Sequence, residues 1–291
     1  MRLTPAAAAR WGARALRGLA RRLERFGSSD AARMDSFMAS WDMVAEPDEH
    51  FYLAQYWHRL EPVLRRLPDD ARILDVGCGQ GRLTLPVADS LPRATVVGVD
   101  VSQRALAAAR QHAAVRRIEN VEFRTADGVA FLSKEPDSSA GLVLFVEVTQ
   151  WMEHYREALA EIVRVLEPGG SLFAALRSQH YQLLKEVQEG RLDEARTVRD
   201  ARSSQLGDLA VRFNWHTVED LRALFGELRL EIEGLYAIGI LSGTHADPLS
   251  TIAQPSRLSG RARAQLLDLE ISLAEQYAGC GRYIGVLATK K

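Results

Sequence analysis

The chain has 291 residues, 47% of them hydrophobic and 26% charged, which excludes a disordered chain and leaves one large α/β domain or two small ones. Lys+Arg total 37 against Asp+Glu 38, a formal net charge of -1, so a whole-domain grip on nucleic acid through counterion release is excluded and no nucleic-acid partner is expected. Two cysteines, Cys78 and Cys280, are too few for a disulfide framework or a cysteine-based zinc site and fit a reducing, cytoplasmic setting. Apolar runs such as Gly141 to Val148 are far short of the roughly 20 residues of a membrane-spanning helix.

Only Lys134, Lys185, Lys290 and Lys291 are lysines, and seven arginines fall between Arg2 and Arg25 against the single acid Glu24. Over residues 10–26, Trp11, Ala15, Leu19, Leu23 and Phe26 form one helical stripe with the arginines largely off it, a basic amphipathic helix. Packing on the domain or on a second copy in a homodimer is the favoured reading; organelle targeting and peripheral contact with an anionic membrane are the alternatives. From Ala71 onward, strand-like runs (Ile73 to Val76, Thr95 to Val99, Val121 to Arg124, Leu142 to Val146, Ser171 to Leu176) alternate with helical stretches such as Ala105 to Ala114 and Tyr155 to Leu166. Apolar strands separated by helices predict βαβ crossovers and a parallel sheet covered on both faces. Leu228 to Tyr236 alternates apolar and charged residues and reads as a less buried strand, and Arg282 to Ala288 as another. The 45 or so residues between them, Ala237 to Gly281, hold a helix over Gly260 to Tyr277, and an insertion of that length is functional or interfacial rather than slack. The organisation is thus residues 1–45, a basic helix and the start of a cap; 46–236, the core with its cap helix; 237–281, an insertion shaping a pocket or interface; and 282–291, the last core strand and tail.

The first strand runs into Asp75-Val76-Gly77-Cys78-Gly79-Gln80-Gly81, where glycines permit a sharp turn and the close approach of a nucleotide-like ligand to backbone and to a helix N-terminus. A dinucleotide fingerprint needs G-x-G-x-x-G, but that third position is Arg82, which disfavours a nicotinamide dehydrogenase. The segment Leu74 to Gly81 resembles the first motif of the class I S-adenosylmethionine-dependent methyltransferases of small-molecule type. Asp100 at the end of Val96-Val97-Gly98-Val99-Asp100, Asp127-Gly128 after the third strand and Glu167-Pro168-Gly169-Gly170 before the fifth follow in that family's order. The resemblance implies a Rossmann-like, doubly wound, mostly parallel seven-stranded sheet with its last strand antiparallel and helices on both faces. It implies S-adenosylmethionine as cofactor, bound by Asp75, Gly77, Gly79, Gly81, Asp100, Val101, Asp127, Gly128 and Glu147. Asp100 would take the ribose hydroxyls, Asp127 the adenine, and Glu147 would lie by the methionine portion. Where relatives carry a histidine after the fourth strand this chain has Trp151, so that role is not transferred.

Methyl transfer from a sulfonium needs collinear alignment and exclusion of water more than a covalent nucleophile. A hydroxyl or protonated amine acceptor also needs a general base, whereas an ionised carboxylate does not. His180, His216 and His154, each following a strand or preceding a helix, are the candidate bases, in competition with surface solvation or core hydrogen bonding. The Asp/Asn-Pro-Pro-aromatic run of amino-directed DNA enzymes is absent and neither cysteine stands where a pyrimidine enzyme needs one, so a small-molecule acceptor methylated on O or N is expected and no metal. A catalytically silent scaffold and a lipid-like acceptor are the alternatives. The region from Phe37 to Trp57 is aromatic-rich, and within it Trp41 to Pro47 resembles the N-terminal cap of small-molecule methyltransferases, with Tyr52 or Tyr56 expected to help close the cofactor site.

Overall fold

The computed structural model describes residues 35, 42–206, 212–245, 247, 249 and 252–291; the basic stripe at 10–26 lies outside the described residues. Its central strands are apolar on both faces because both faces are covered. Strands β1 (Arg72–Val76), β2 (Thr95–Asp100), β3 (Val121–Thr125), β4 (Ala140–Val146) and β5 (Leu166–Arg177) are mutually parallel where they pair. A three-residue hairpin pair, β6 (Ser203–Gln205) and β7 (Arg212–Asn214), stands apart. Strands β8 (Leu230–Ile238) and β9 (Tyr283–Lys290) complete a seven-stranded sheet of order β3-β2-β1-β4-β5-β9-β8, with β9 antiparallel to both neighbours. Chain order runs outward from β1 one way and from β4 the other, so the topological switch point, where open α/β sheets bind ligands, lies between them at the carboxyl ends.

Side chains alternate across the sheet and divide the core in two. Val143 and Phe145 of β4 join Leu74, Leu172 and Ile162 on one side, while Leu142 and Leu144 join Ile73, Phe173 and Leu106 on the other. The second layer is closed by helix α1 (Pro47–Leu64), which has Pro at its first turn, Asp48 and Glu49 against its positive end, and Tyr52, Tyr56, Leu60 and Val63 spaced to face the sheet. Helices α2 (Thr84–Ser90), α3 (Gln103–Arg116), α4 (Gly128–Leu132) and α5 (Tyr155–Val165) make the crossovers. After β5 come α6 (Gln179–Gln188) and α7 (Leu192–Asp200), then α8 (Val218–Glu227), which opens in a reciprocal Thr217–Asp220 capping box.

Three boundaries differ from the sequence reading. Leu228 and Arg229 belong to the turn before β8, with Arg229 in the left-handed region at φ 57°. The helix predicted to Tyr277 is α9 (Gly260–Leu273), followed by turns. The Glu167-Pro168-Gly169-Gly170 turn lies inside β5 as an irregularity, since the pairing jumps from Ala140↔Leu166 to Leu142↔Ser171. The insertion after β8 packs on α1: Gly239 N donates to Gln55 Oε1 at 3.0 Å, Ser256 N to Asp48 Oδ1 at 2.7 Å, and Arg59 Nη2 to Ile271 O at 2.9 Å.

Phe173, fully buried on β5, meets the Tyr56 ring edge-on at 6.2 Å and so fastens α1 to the sheet. Phe173→Ala is expected to cost about 3–5 kcal/mol of stability, measured by urea unfolding.

Candidate functional site

The glycine loop is held from below by backbone and from the side by a carboxylate. Gly77 N and Cys78 N both donate to Val99 O, at 2.7 and 3.0 Å. Gly77 has φ 79°, and a Cβ there would lie 2.3 Å from Val148 Cγ2, so only glycine lets the loop pass beneath the chain leaving β4. Gly79 N donates to Asp100 Oδ2 at 2.9 Å and Ser102 N to Oδ1 at 2.8 Å, which locks the Asp100 carboxylate between the loop and the start of α3, with half-buried Val101 in the turn between. Burial raises the Asp100 carboxyl above its ordinary range, opposed by those backbone N–H groups. Each of its oxygens retains lone-pair capacity for a further donor.

Asp75 is buried, accepts from Thr84 Oγ1 at 2.6 Å and is pushed by burial to about 7, so its side chain fastens the loop to α2. Asp127 is exposed and caps α4 by accepting from Ala130 N at 3.0 Å; Gly128 behind it is buried, and a Cβ there would come within 2.9 Å of Val76 Cγ1. Ala126 N donates to Asp100 O at 3.1 Å, so the ends of β1, β2 and β3 bring Gly77 to Gly81, Asp100, Asp127 and Gly128 side by side.

Arg82, which sequence reasoning noticed only as a departure from a dinucleotide pattern, is buried at the end of this loop between two carboxylates. Its Nη1 pairs with Glu49 of α1 and its Nη2 with Glu147 Oε1 at 2.6 Å. Tyr56 Oη donates to the same Glu147 oxygen at 2.8 Å. Glu147 follows β4 at φ 62°, its N donating to Ala175 O at 2.9 Å. Burial opposes its ionisation, but Arg82, Arg282 and the hydrogen bonds from Arg82 and Tyr56 outweigh that and pull it down to about 2. Burial raises Glu49 despite Arg82, and it lifts the Tyr56 phenol well above its ordinary value. Tyr52, one turn earlier, instead donates to Ser242 O of the insertion at 2.8 Å.

The three candidate histidines are not brought to this loop. His154 is exposed and pairs with Glu157 at 3.3 Å. His180 is exposed in the first turn of α6, and His216 is buried edge-on against Tyr155, with Nε2 lacking a partner and burial pushing it down to about 4. His180 and His216 line a cavity of about 640 Å³ beside α8 and β8 to which no residue of the glycine loop contributes.

These features define an α/β nucleotide-cofactor domain with its loop at the switch point. Residues 73–170 match a family described as methyltransferase domain, the class that the motifs of this segment resemble. A trans-aconitate 2-methyltransferase of Methylobacterium nodulans is 36% identical over 140 residues, 46% of this chain and 49% of that protein. A malonyl-[acyl-carrier protein] O-methyltransferase of Paenibacillus sp. is 28% identical over 103 residues, 35% of this chain and 37% of its own. The chain thus spans about half or less of the length of these curated relatives. The fold is shared with an S-adenosylmethionine-dependent methyltransferase of Methanosarcina mazei, at TM-score 0.54 and 19% identity, over 79% of this chain and 96% of that one. S-adenosylmethionine is the cofactor of this domain class, and the residues present fit it: a loop that only glycine can form at Gly77, beside an Asp100 carboxylate with acceptor capacity to spare.

Arg82→Met strands Glu49 and Glu147 without their cation and is expected to cost about 3–5 kcal/mol at neutral pH, measured by urea unfolding. Glu147 is depressed on folding, so its contribution is complete above the ordinary carboxyl value of 4.5 and is lost as pH falls from there toward about 2. Between those limits the stability of Glu147→Gln is expected to fall less steeply than that of the wild type.

Proposed function

We propose that the protein transfers a methyl group from S-adenosylmethionine to an O or N atom of a small-molecule acceptor by in-line displacement. When bound, the cofactor supplies a methyl group already activated by its sulfonium, so the chain's task is to hold, align and exclude water. In this reading the Asp100 carboxylate accepts hydrogen bonds from the ribose hydroxyls, the loop from Gly77 to Gly81 lies against the cofactor, and Asp127 with Gly128 bounds the adenine. Glu147, fixed by Arg82 and Tyr56, orders the chain beside the methionine portion. Tyr56 and Tyr52 reach from α1 to two different segments, Tyr56 to Glu147 and Tyr52 to the insertion, which supports a cap that closes the site. The two relatives are named for small or carrier-bound organic acids, which favours an oxygen acceptor over nitrogen here.

The observation that carries the reading is the Asp100 carboxylate bonded to Gly79 N at the mouth of the loop. Calorimetry with S-adenosylhomocysteine is expected to show binding by the wild type and a loss of at least about tenfold in Asp100→Ala, since a charge-assisted hydrogen bond is removed. No binding by the wild type, or undiminished binding by the variant, contradicts it.

A further inference from the structure

β5 ends on Arg177, and its register partner Tyr283 opens β9 directly after Arg282, so two guanidinium groups 105 residues apart in sequence stand together at the carboxyl end of the central sheet. The Arg177 guanidinium lies over the Tyr283 ring at 4.4 Å and over the Tyr181 ring at 4.8 Å. Its Nη2 donates to Tyr283 Oη at 2.9 Å, while its Nη1 is buried with no partner. Arg282 faces Tyr52, Tyr181 and Tyr283 at 5.7, 5.6 and 5.7 Å. Its Nη1 reaches Thr244 Oγ1 at 3.4 Å and Asp247 Oδ2 at 3.6 Å, and its Nε is buried with no partner.

Cations stacked on aromatic faces are well placed, but a buried guanidinium N–H left without an acceptor is costly. Two such donors in one aromatic box call for an anion. Asp247 is already engaged, accepting from Tyr181 Oη at 2.8 Å as well as facing Arg282, and among the described residues Arg177 has no carboxylate partner. The box also adjoins the transfer site. Tyr283 Oη accepts from Gln150 Nε2 at 3.3 Å, three residues beyond Glu147, and Arg282 is among the cations that hold Glu147 ionised.

We propose that Arg177 and Arg282 anchor a carboxylate of the acceptor, and that the acceptor is a small di- or tricarboxylate methylated on a second carboxylate. The inference rests on the methyltransferase reading and specifies its substrate. A carboxylate clamped by both guanidiniums would lose charge to them and be the poorer nucleophile, so the clamped group is the handle and an unclamped one reacts. In the step, an oxygen lone pair of the free carboxylate forms the O–CH₃ bond as the C–S bond breaks, and its electron pair returns to sulfur. The carboxylate and sulfonium charges cancel, leaving a methyl ester and a neutral thioether, with no proton to remove. The side chains facing the box suit such a base-free step. Burial, opposed by Arg177 and reinforced by Glu147, pushes the Tyr283 phenol up to about 12, and burial also raises Tyr181 and Tyr52, so these phenols are donors. Lys185, pulled down to about 8 by burial and then by Arg177, adds to the positive field.

The test incubates the full chain and methyl-labelled S-adenosylmethionine with trans-aconitate, with glutarate, with hexanoate and with a small-molecule extract of host cells. The product is then treated with alkali, which releases methanol from methyl esters and leaves N-methyl groups and ethers intact. Label is expected in alkali-labile product from the polycarboxylates or the extract and not from hexanoate. Arg177→Gln is expected to raise KM for the labelled acid roughly ten- to hundredfold with little change in kcat or in S-adenosylhomocysteine affinity, and Arg177→Lys to fall between. Alkali-stable label, an unchanged KM in Arg177→Gln, or no labelled acid from a protein that binds S-adenosylhomocysteine overturns this inference alone. A wild type that fails to bind S-adenosylhomocysteine removes the methyltransferase reading itself. Should Arg177→Gln not fold, the alkali test on the wild type and the KM of Arg177→Lys decide.

Discussion

A single guanidinium, that of Arg82, sits in the protein interior against two carboxylates from different parts of the chain, and the arrangement of the site follows from it. A buried cation is tolerable only with partners, and removing one partner leaves a charge that the interior cannot solvate. Arg82 therefore requires Glu49, which fixes the start of α1, and Glu147, which fixes the chain as it leaves β4. Tyr56, about two turns further along α1, adds its hydroxyl to Glu147 and its ring to Phe173. Loop, cap helix and the β4 exit are thus one electrostatic unit, and the left-handed backbone of Glu147 is sustained by it.

Charge is laid out along the carboxyl edge of the sheet. Over β1 and β2 the buried groups are acids, Asp75 and Asp100, which accept from Thr84, Gly79 and Ser102. Over β5 and β9 stand the half-buried cations Arg177 and Arg282, framed by tyrosines. Glu147 lies between the two, joined to one side through Arg82 and influenced from the other by Arg282. Under the proposed function this separation assigns the two reactants to opposite sides of the switch point: the ribose to the acidic side and an anionic acceptor to the basic side.

Much of this was legible in the sequence, because the signals are local. The five apolar runs become β1 to β5, with β5 extended backward to Leu166, and the loop and Asp100 are adjacent because each ends a strand that pairs with the other. The capping box of α8 is spelled by Thr217 and Asp220. What was not legible depends on long-range register. Nothing near Arg177 indicates that Tyr283 will be its cross-strand partner, because β9 inserts between β5 and β8 from the far end of the chain. Arg82 looked like an interruption of a glycine pattern because its acids, Glu49 and Glu147, are 33 and 65 residues away. His154 and His180 follow strands and His216 precedes a helix, but the first two are exposed and His216 is packed against Tyr155. The hairpin of β6 and β7 is too short to leave a periodic signal.

The central claim is that the glycine loop and the cap helix act as one cofactor-holding unit joined by Arg82. Hydrogen exchange of the backbone amides, with and without saturating S-adenosylhomocysteine, tests it most directly, because exchange reports local opening segment by segment. The account predicts slower exchange in residues 75–82 and, together with them, in residues 47–56 of α1. Protection confined to the loop with α1 unchanged, or no protection in either segment, would contradict it.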